Sequence, residues 1–235
     1  MNLAGVEDLS TQRREPEWFL DLRRRAWRFF EEIAWPTAND EEWRRTRLTG
    51  LALDDFRLPT QAEAARGDRS DLPAYLREEM ESIDAAGGAL VTEDGAVRFH
   101  ELSNELAAKG VIFTDLDTAM RQHPELIQRY FMTDNVAVDA NKFTALHAAL
   151  VTGGAVLYVP RNVQIEAPLY GITAVSGDQA DFAHTLIIAE ENSQVTYIDE
   201  MVSQGEGAAF HSGAVEIFAP DGAVVRYLHR QDWNT

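Results

Sequence analysis

From Pro16 onward, Trp18, Leu22, Ala26, Phe29 and Ile33 recur at helical spacing, with Arg23, Arg24, Arg25 and Arg28 filling much of the remaining surface. Pro16 sits in the first-turn position, where a missing N–H costs nothing, and Pro36 is expected to stop the helix. Asn39 followed three residues later by Glu42 has the form of a capping box and predicts a short second helix holding Trp43. The pair reads as a helical hairpin packed on itself or on its neighbour. A partner-docking surface is the competing reading, because Trp and Arg are enriched at interface hot spots. Between Pro59 and Pro73 the residues turn small and polar, which reads as a linker or mobile loop.

A short helix is expected from Ala74 to Ser82. Ala89-Leu90-Val91-Thr92 and Ala96-Val97-Arg98-Phe99 then flank Asp94-Gly95, the pattern of a tight β-hairpin. Gly110 ends a helical turn, Val111-Ile112-Phe113 reads as a strand, and Asp115 or Asp117 can cap the helix that follows. His123-Pro124 separates that helix from another running to Phe131. Asp139 is the expected cap of a helix through Phe143, Leu146 and Leu150, stopped by Gly153-Gly154.

Beyond Gly154 no helical pattern survives. Short runs such as Ala155-Val156-Leu157-Tyr158-Val159, Thr185-Leu186-Ile187-Ile188 and Ala214-Val215-Glu216-Ile217-Phe218 alternate with turns. The stretches starting at Tyr158, Ile188 and Phe218 align without gaps at a spacing of 30 residues. Asn162, Asn192 and Gly222 coincide, as a turn with positive φ would select. Ile165, Val195 and Val225 coincide as inward positions, and Tyr197 matches Tyr227. A fixed period in short strands is the mark of a stacked β-solenoid. An ordinary β-sandwich is the competing arrangement. The division expected is a helical region over 1–58, a linker over 59–73, an α+β region over 74–154 and a β-solenoid over 155–235.

Charge narrows the function classes. Lys and Arg total 21 against 39 Asp and Glu, a net charge of −18, which repels nucleic acid and anionic membranes as main partners. The first sixty residues carry 10 basic and 12 acidic side chains, so the excess negative charge lies in the rest of the chain. With no cysteine there is no disulfide, thiolate metal site, Cys nucleophile or Cys-ligated iron–sulfur cluster. The first residues lack a secretory pattern and no apolar run approaches a membrane span, so a cytoplasmic protein is expected.

Candidate chemistry is sparse. Gly153-Gly154 follows a helix and precedes a strand, the reverse of a phosphate loop, so these are helix-stop glycines. His147 lies beside the apolar face of its helix and reads as a core or rim histidine. His211 and His229 fall in the repeat region and, with Asp199 or Glu200, are the best candidate metal ligands, although no spacing rule is met. Asp115-Leu116-Asp117 is a pair more often used in capping, and Glu190-Glu191 falls in a repeat turn where solvated carboxylates are expected. No catalytic, cofactor-binding or metal residue is assigned.

The ordered landmarks resemble a known family. Glu15-Pro16-Glu17-Trp18-Phe19-Leu20-Asp21-Leu22-Arg23 and Glu42-Trp43-Arg44-Arg45-Thr46-Arg47-Leu48 are similar to the N-terminal helical signature of the SufB/SufD family, its SufD branch in particular. Phe56-Arg57-Leu58, Leu102-Ser103-Asn104-Glu105-Leu106 and His123-Pro124-Glu125-Leu126 look like further landmarks. The stretch from Phe143 to Leu150, on through Gly153-Gly154 to Tyr158-Val159-Pro160, is the most specific. His184-Thr185-Leu186-Ile187-Ile188 and Gln231-Asp232-Trp233-Asn234 complete the set.

The resemblance implies a mainly β fold, a right-handed parallel β-helix preceded by an α-helical and α+β region. It also implies a non-catalytic scaffold for SUF iron–sulfur cluster assembly, with SufB and SufC as partners and the cluster as the product of the full complex. This chain alone is expected to bind no cofactor. Family members continue well past the length of this chain, so it reads as a truncated member, and an uncovered last rung predicts self-association in isolation. SufB itself and a carbohydrate-active β-helix enzyme are the alternatives. From Val151 onward there are 3 basic and 11 acidic residues, few cations for a polyuronate lyase.

Overall fold

The computed structural model describes residues 1–46, 48–59, 67–81, 83 and 86–234. Helices α1 (Leu3–Arg13) and α2 (Glu17–Glu32) lead through single 3-10 turns to α3 (Ala74–Glu81). The hairpin β1 (Gly88–Glu93) and β2 (Ala96–Leu102) follows, then α4 (Asn104–Ala108), β3 (Ile112–Asp115), α5 (Leu116–Gln122), α6 (Pro124–Tyr130) and α7 (Lys142–Leu150). Strands β4 (Ala155–Val159), β5 (Leu169–Ser176), β6 (Ala180–Asp181), β7 (His184–Ala189), β8 (Gln194–Gln204), β9 (Phe210–His211), β10 (Ala214–Phe218) and β11 (Val224–Asp232) complete the chain.

The strands form a five-stranded sheet in the order β11-β8-β5-β1-β2, a four-stranded sheet β10-β7-β4-β3, and the pair β6-β9. The β1–β2 and β3–β4 pairings are antiparallel and the others parallel, so the larger sheets are mixed. Helix and strand share the described residues about equally, which corrects the expectation of a mainly β chain. The helices of the first half account for the difference.

Four of the parallel ladders keep one register, while β5 and β8 pair at an offset of 28 residues. Val156 faces Leu186, His184 faces Ala214, Ala180 faces Phe210 and Gln194 faces Val224, each pair 30 residues apart. The turn residues Asn162, Asn192 and Gly222 have φ of 62°, 56° and 73°, the left-handed conformation their alignment predicts. The Asn192 side-chain amide donates to Asn162 Oδ1 at 3.3 Å, and a Cβ on Gly222 would lie 2.2 Å from Asn192 Oδ1. Glycine in the third copy leaves the Asn192 amide its place. Ile165 and Val195 are buried in the cluster between the two larger sheets, and Val225 packs on its edge. The β1–β2 turn has Asp94 and Gly95 both at positive φ, as a two-residue hairpin of matching twist requires.

Helices α2 and α7 pack against the outer side of the four-stranded sheet, burying Phe19, Ala26, Leu146 and Leu150 with Val156 and Leu186. Helix α3 covers the other face of the five-stranded sheet with Leu76 and Met80 against Val91 and Ile172.

Several local expectations are corrected. Helix α1 is an extra helix, capped by the Asn2 side chain accepting from the Gly5 N–H at 2.9 Å. Helix α2 stops at Glu32, ahead of Pro36. Residues Glu41–Trp43 form only a 3-10 turn with no side-chain cap, because Asp40 accepts from Thr37 instead. The cap of α7 is Asn141, not Asp139. Of the predicted linker, residues 60–66 lie outside the described residues, as does Ser82; Leu72 is buried and Arg69–Asp71 make a 3-10 turn.

Candidate functional site: buried histidine–carboxylate chains

Helix α7 is built to carry a buried imidazole. Asn141 Oδ1 accepts from the N–H groups of Phe143 and Thr144, and Thr144 Oγ1 accepts from the Asn141 N–H, closing a capping box. The small residues Ala145, Ala148 and Ala149 let the helix approach the sheet, and His147 is buried among them. Its C-terminal carbonyls end on Arg23, whose guanidinium donates to the carbonyls of Ala149 and Val151, each at 2.8 Å, and to the Glu15 carboxylate. Arg23 is fully buried, which corrects its placement on the solvent side of α2. Arg13 makes a further buried ion pair with Asp117 at 2.8 Å. Asp115 is the cap of α5, accepting from the Thr118 N–H at 2.9 Å, so the two carboxylates serve different ends.

From His147 a chain of hydrogen bonds runs across the ladder. Its Nδ1 lies 2.7 Å from the Ser212 carbonyl and its Nε2 lies 3.1 Å from His184 Nδ1. His184 Nε2 lies 3.0 Å from Glu216, a carboxylate in the interior of β10. Proton positions follow from the partners. A carbonyl only accepts, so His147 Nδ1 carries a proton. Glu216 also accepts from the N–H groups of Met132 at 2.6 Å and Val136 at 3.3 Å. Burial, with the neighbouring His184 adding to it, pushes the His147 pKa down to about 3, leaving that ring neutral with an accepting Nε2. His147, His184 and Glu216 thus form one continuous buried hydrogen-bonded chain. Together the three side chains fasten α7 and the segment after α6 onto β7 and β10.

A second chain joins the short pair β6–β9. His211 Nδ1 lies 2.7 Å from Asp181 Oδ2, while Asp181 Oδ1 accepts from Thr152 Oγ1 at 3.3 Å. The Trp233 ring lies against His211, with centroids 5.6 Å apart, at the wall of a cleft of about 710 Å³ that also includes Ser203, Phe210, Gln231 and Asn234. This volume is in the small-molecule range.

In a third chain, Asp199 Oδ2 accepts from the Tyr227 hydroxyl at 2.6 Å, and His229 Nδ1 lies 3.3 Å from that hydroxyl. Burial raises the Asp199 pKa, with the Tyr227 hydrogen bond opposing the shift. Glu200 points to the other face of β8, where Arg230 lies 3.3 Å away and also reaches Glu79. Burial raises its pKa against the pull of Arg230.

The four residues proposed from sequence as metal ligands are therefore divided among three partnerships: His211 with Asp181, His229 with Asp199, and Glu200 with Arg230. Among the described residues no group of three or more His, Asp or Glu side chains is arranged to hold a metal ion. Glu191 pairs with Arg161 at 2.7 Å on the surface. Gly154 brings two strands together, since a Cβ there would lie 2.0 Å from the His184 carbonyl oxygen.

The His184–Glu216 pair escaped sequence reasoning, but it left a signal: Glu216 is an acidic residue at an inward phase of an otherwise apolar strand. Asp181–His211 and Asp199–His229 left a stronger one. The members of each are separated by the repeat length and face each other in register.

Comparison with known proteins covers the same residues. The model described as SufBD protein N-terminal region matches residues 8–170, and that described as SUF system FeS cluster assembly, SufBD core domain, matches residues 172–235. The chain is 36% identical over 225 residues to the iron–sulfur cluster assembly protein SufD of Bacillus subtilis, covering 94% of this chain and 50% of that protein. It is 31% identical to an iron–sulfur cluster assembly SufBD family protein of Staphylococcus haemolyticus and 30% identical to one of Staphylococcus aureus, each over 97% of this chain and 50% of the relative. The chain thus spans about half the length of the curated relatives it matches.

Proposed function

The chain belongs to the SufBD family of the SUF system, and from that premise we propose that it serves as a SufD-type, non-catalytic scaffold in iron–sulfur cluster assembly, acting by binding SufB and SufC. The observation that carries this reading is the order and extent of the match: the N-terminal family region is followed directly by the core region, with the B. subtilis SufD likeness running through both. The cluster is cargo of the complex on this reading, and this chain holds no cofactor of its own. The paralogue SufB is the second reading; the lack of cysteine over this stretch favours the SufD type.

The same premise gives the ladders a finer interpretation. With the β7–β10, β8–β11 and β6–β9 pairings each joining residues 30 apart, the segment from Ala155 onward forms coils of a right-handed parallel β-helix, and the outer edges of β10 and β11 promote self-association of this chain in isolation. No helix among the described residues is long and apolar enough to cross a membrane, in keeping with work in the cytoplasm.

Co-purification tests the function. The whole protein, tagged and co-expressed with SufB and SufC from the same source, is expected to retain both through gel filtration. Loss of both partners under conditions where SufB and SufC still bind each other overturns the scaffold reading.

A further inference from the structure

Between the two larger sheets, the inward positions of β5 and β8 change character along the strands. Leu169, Val195 and Tyr197 give way to Thr173 and Asp199, which with Thr92, Thr185 and Gly171 line a buried cavity of about 10 Å³. That is about the room one water molecule needs.

Three observations show that the polar groups here want a partner. The Tyr197 hydroxyl is fully buried and makes no hydrogen bond of normal geometry among the described residues, the Thr185 hydroxyl being its side-chain neighbour. It points at Gly171, where a Cβ would lie 2.0 Å from the hydroxyl oxygen. The threonines around the cavity are thinly served: Thr92 reaches the Thr173 hydroxyl and the Ile172 carbonyl only at 3.4 Å, and Thr185 reaches Asp199 only at 3.4 Å. Those bonds are at the long limit of the interaction. Asp199 is better placed on one side only. Its Oδ2 accepts the short bond from Tyr227, while its Oδ1 lies toward Gly171, 3.6 Å from where a Cβ would stand.

We propose that this cavity is a binding site for a single water molecule, held between the Tyr197 hydroxyl and Asp199 Oδ1 with the threonine hydroxyls around it. The water supplies Tyr197 with a well-placed partner, and its two donors and two acceptors match a mixed set of hydroxyls and a carboxylate. It also extends a hydrogen-bonded path from Tyr197 through Asp199 and Tyr227 to His229, which is exposed on β11. The Tyr197 hydroxyl, which occupies the place of a Cβ, accounts for glycine at position 171.

Water-oxygen magnetic relaxation dispersion on the whole protein, compared with Tyr197→Phe and Thr185→Val, tests the site. The wild type is expected to show one more long-lived internal water than Tyr197→Phe, with a weaker contribution in Thr185→Val. Tyr197→Phe is expected to lower the Tm by about 2–4 °C, because the water loses a partner. A dispersion unchanged in both variants overturns the proposal. So does a higher Tm in Tyr197→Phe, the result expected if the hydroxyl is simply unpaired.

Discussion

The parallel ladders and the helical region are stabilised by different kinds of contact. In the ladders, residues 30 apart meet, and the partners are chemically complementary: Arg161 with Glu191, Asp181 with His211, Glu200 with Arg230, Tyr197 stacked on Tyr227. A single period sets register, turn chemistry and side-chain pairing together. In the helical region the decisive contacts are long in sequence and made by buried cations. Arg23 reaches the end of α7 from α2, and Lys142 at the start of α7 returns to α2, donating to the Ile33 carbonyl at 2.6 Å with its ammonium over the Phe30 ring. Each charge satisfies helix-end carbonyls that would otherwise be buried without donors. Repetition organises one region, and helix-end chemistry organises the other.

The largest expected effect tests the stacking. Val195 lies at the centre of the cluster between the sheets with no solvent exposure. Val195→Asp places a carboxylate there without a partner and is expected to destabilise by about 4 kcal/mol or more. Val225→Asp, at the equivalent position of β11 but only half-buried, is expected to cost less than half as much. Denaturant midpoints of the two variants check this. Equal losses would mean that the ladder positions are not graded from interior to edge.

Next comes Arg23→Met. It keeps the length and apolar stem of the side chain but leaves Glu15, whose side chain is 1% exposed, without its closest cation. It also strips the Ala149 and Val151 carbonyls of their donor. The expected loss is about 3 kcal/mol, since removing one member of a buried pair costs more than the pair contributes. Arg13 lies 3.7 Å from Glu15 and limits the damage. Arg23→Lys is expected to recover only part, because one ammonium cannot serve a carboxylate and two carbonyls in a fixed plane. Thermal unfolding of the three proteins reads the order directly.

These two regions also differ in what the sequence discloses. The hairpin at Asp94-Gly95 and the turns at Asn162, Asn192 and Gly222 were legible because positive φ selects those residues. The inward row Ile165, Val195, Val225 was legible because a repeat copies burial as well as turns. The same period also contained Asp199–His229, which the sequence reading brought together as candidate metal ligands, and Asp181–His211, which it missed because His211 was read toward Asp199 or Glu200 rather than one repeat back. In the helical region, α1 has little apolar periodicity, burying only Val6 and Leu9 among its hydrophobics, and its sign was a capping Asn2. Arg23 was indistinguishable from the exposed arginines beside it, because its burial depends on a helix end more than a hundred residues away. The His184–Glu216 pair fell outside the period at 32 residues apart and joins neighbouring rows.

The His147 chain lies where the two regions meet, and its pH dependence sharpens the contrast. Burial holds the folded His147 pKa at about 3, well below the 6.5 of a free imidazole. Above pH 6.5 the ring is neutral in both states and its contribution is intact. Below that, the unfolded chain takes up a proton the folded one refuses, so stability falls as pH drops toward 3 at up to about 1.4 kcal/mol per pH unit. The raised carboxyls Asp117 and Asp199 act in the opposite sense: their contribution is present below the unfolded pKa and is lost as pH rises through the folded one. Subtracting the pH profile of His147→Gln removes the contribution of these carboxyls. The difference between wild type and variant is expected to shrink steadily between pH 6.5 and pH 4; a difference independent of pH would mean that His147 is charged when folded.

The smallest effect is the most discriminating about the ladders themselves. Arg161 and Glu191 meet at 2.7 Å on the repeat turns, both substantially exposed. Complementarity at the repeat length suggests that such pairs set register, but exposed pairs are screened by water and salt and cost side-chain entropy. A double-mutant cycle of Arg161→Ala and Glu191→Ala is therefore expected to give a coupling of about 0.5 kcal/mol or less, fading as salt is raised. Asn162 and Asn192 behave differently, because each adopts a positive φ that a branched residue resists. Asn192→Val should cost more than the whole ion pair although it removes no charge. If the cycle instead gave a coupling above that cost, surface charge rather than turn geometry would be what holds one repeat against the next.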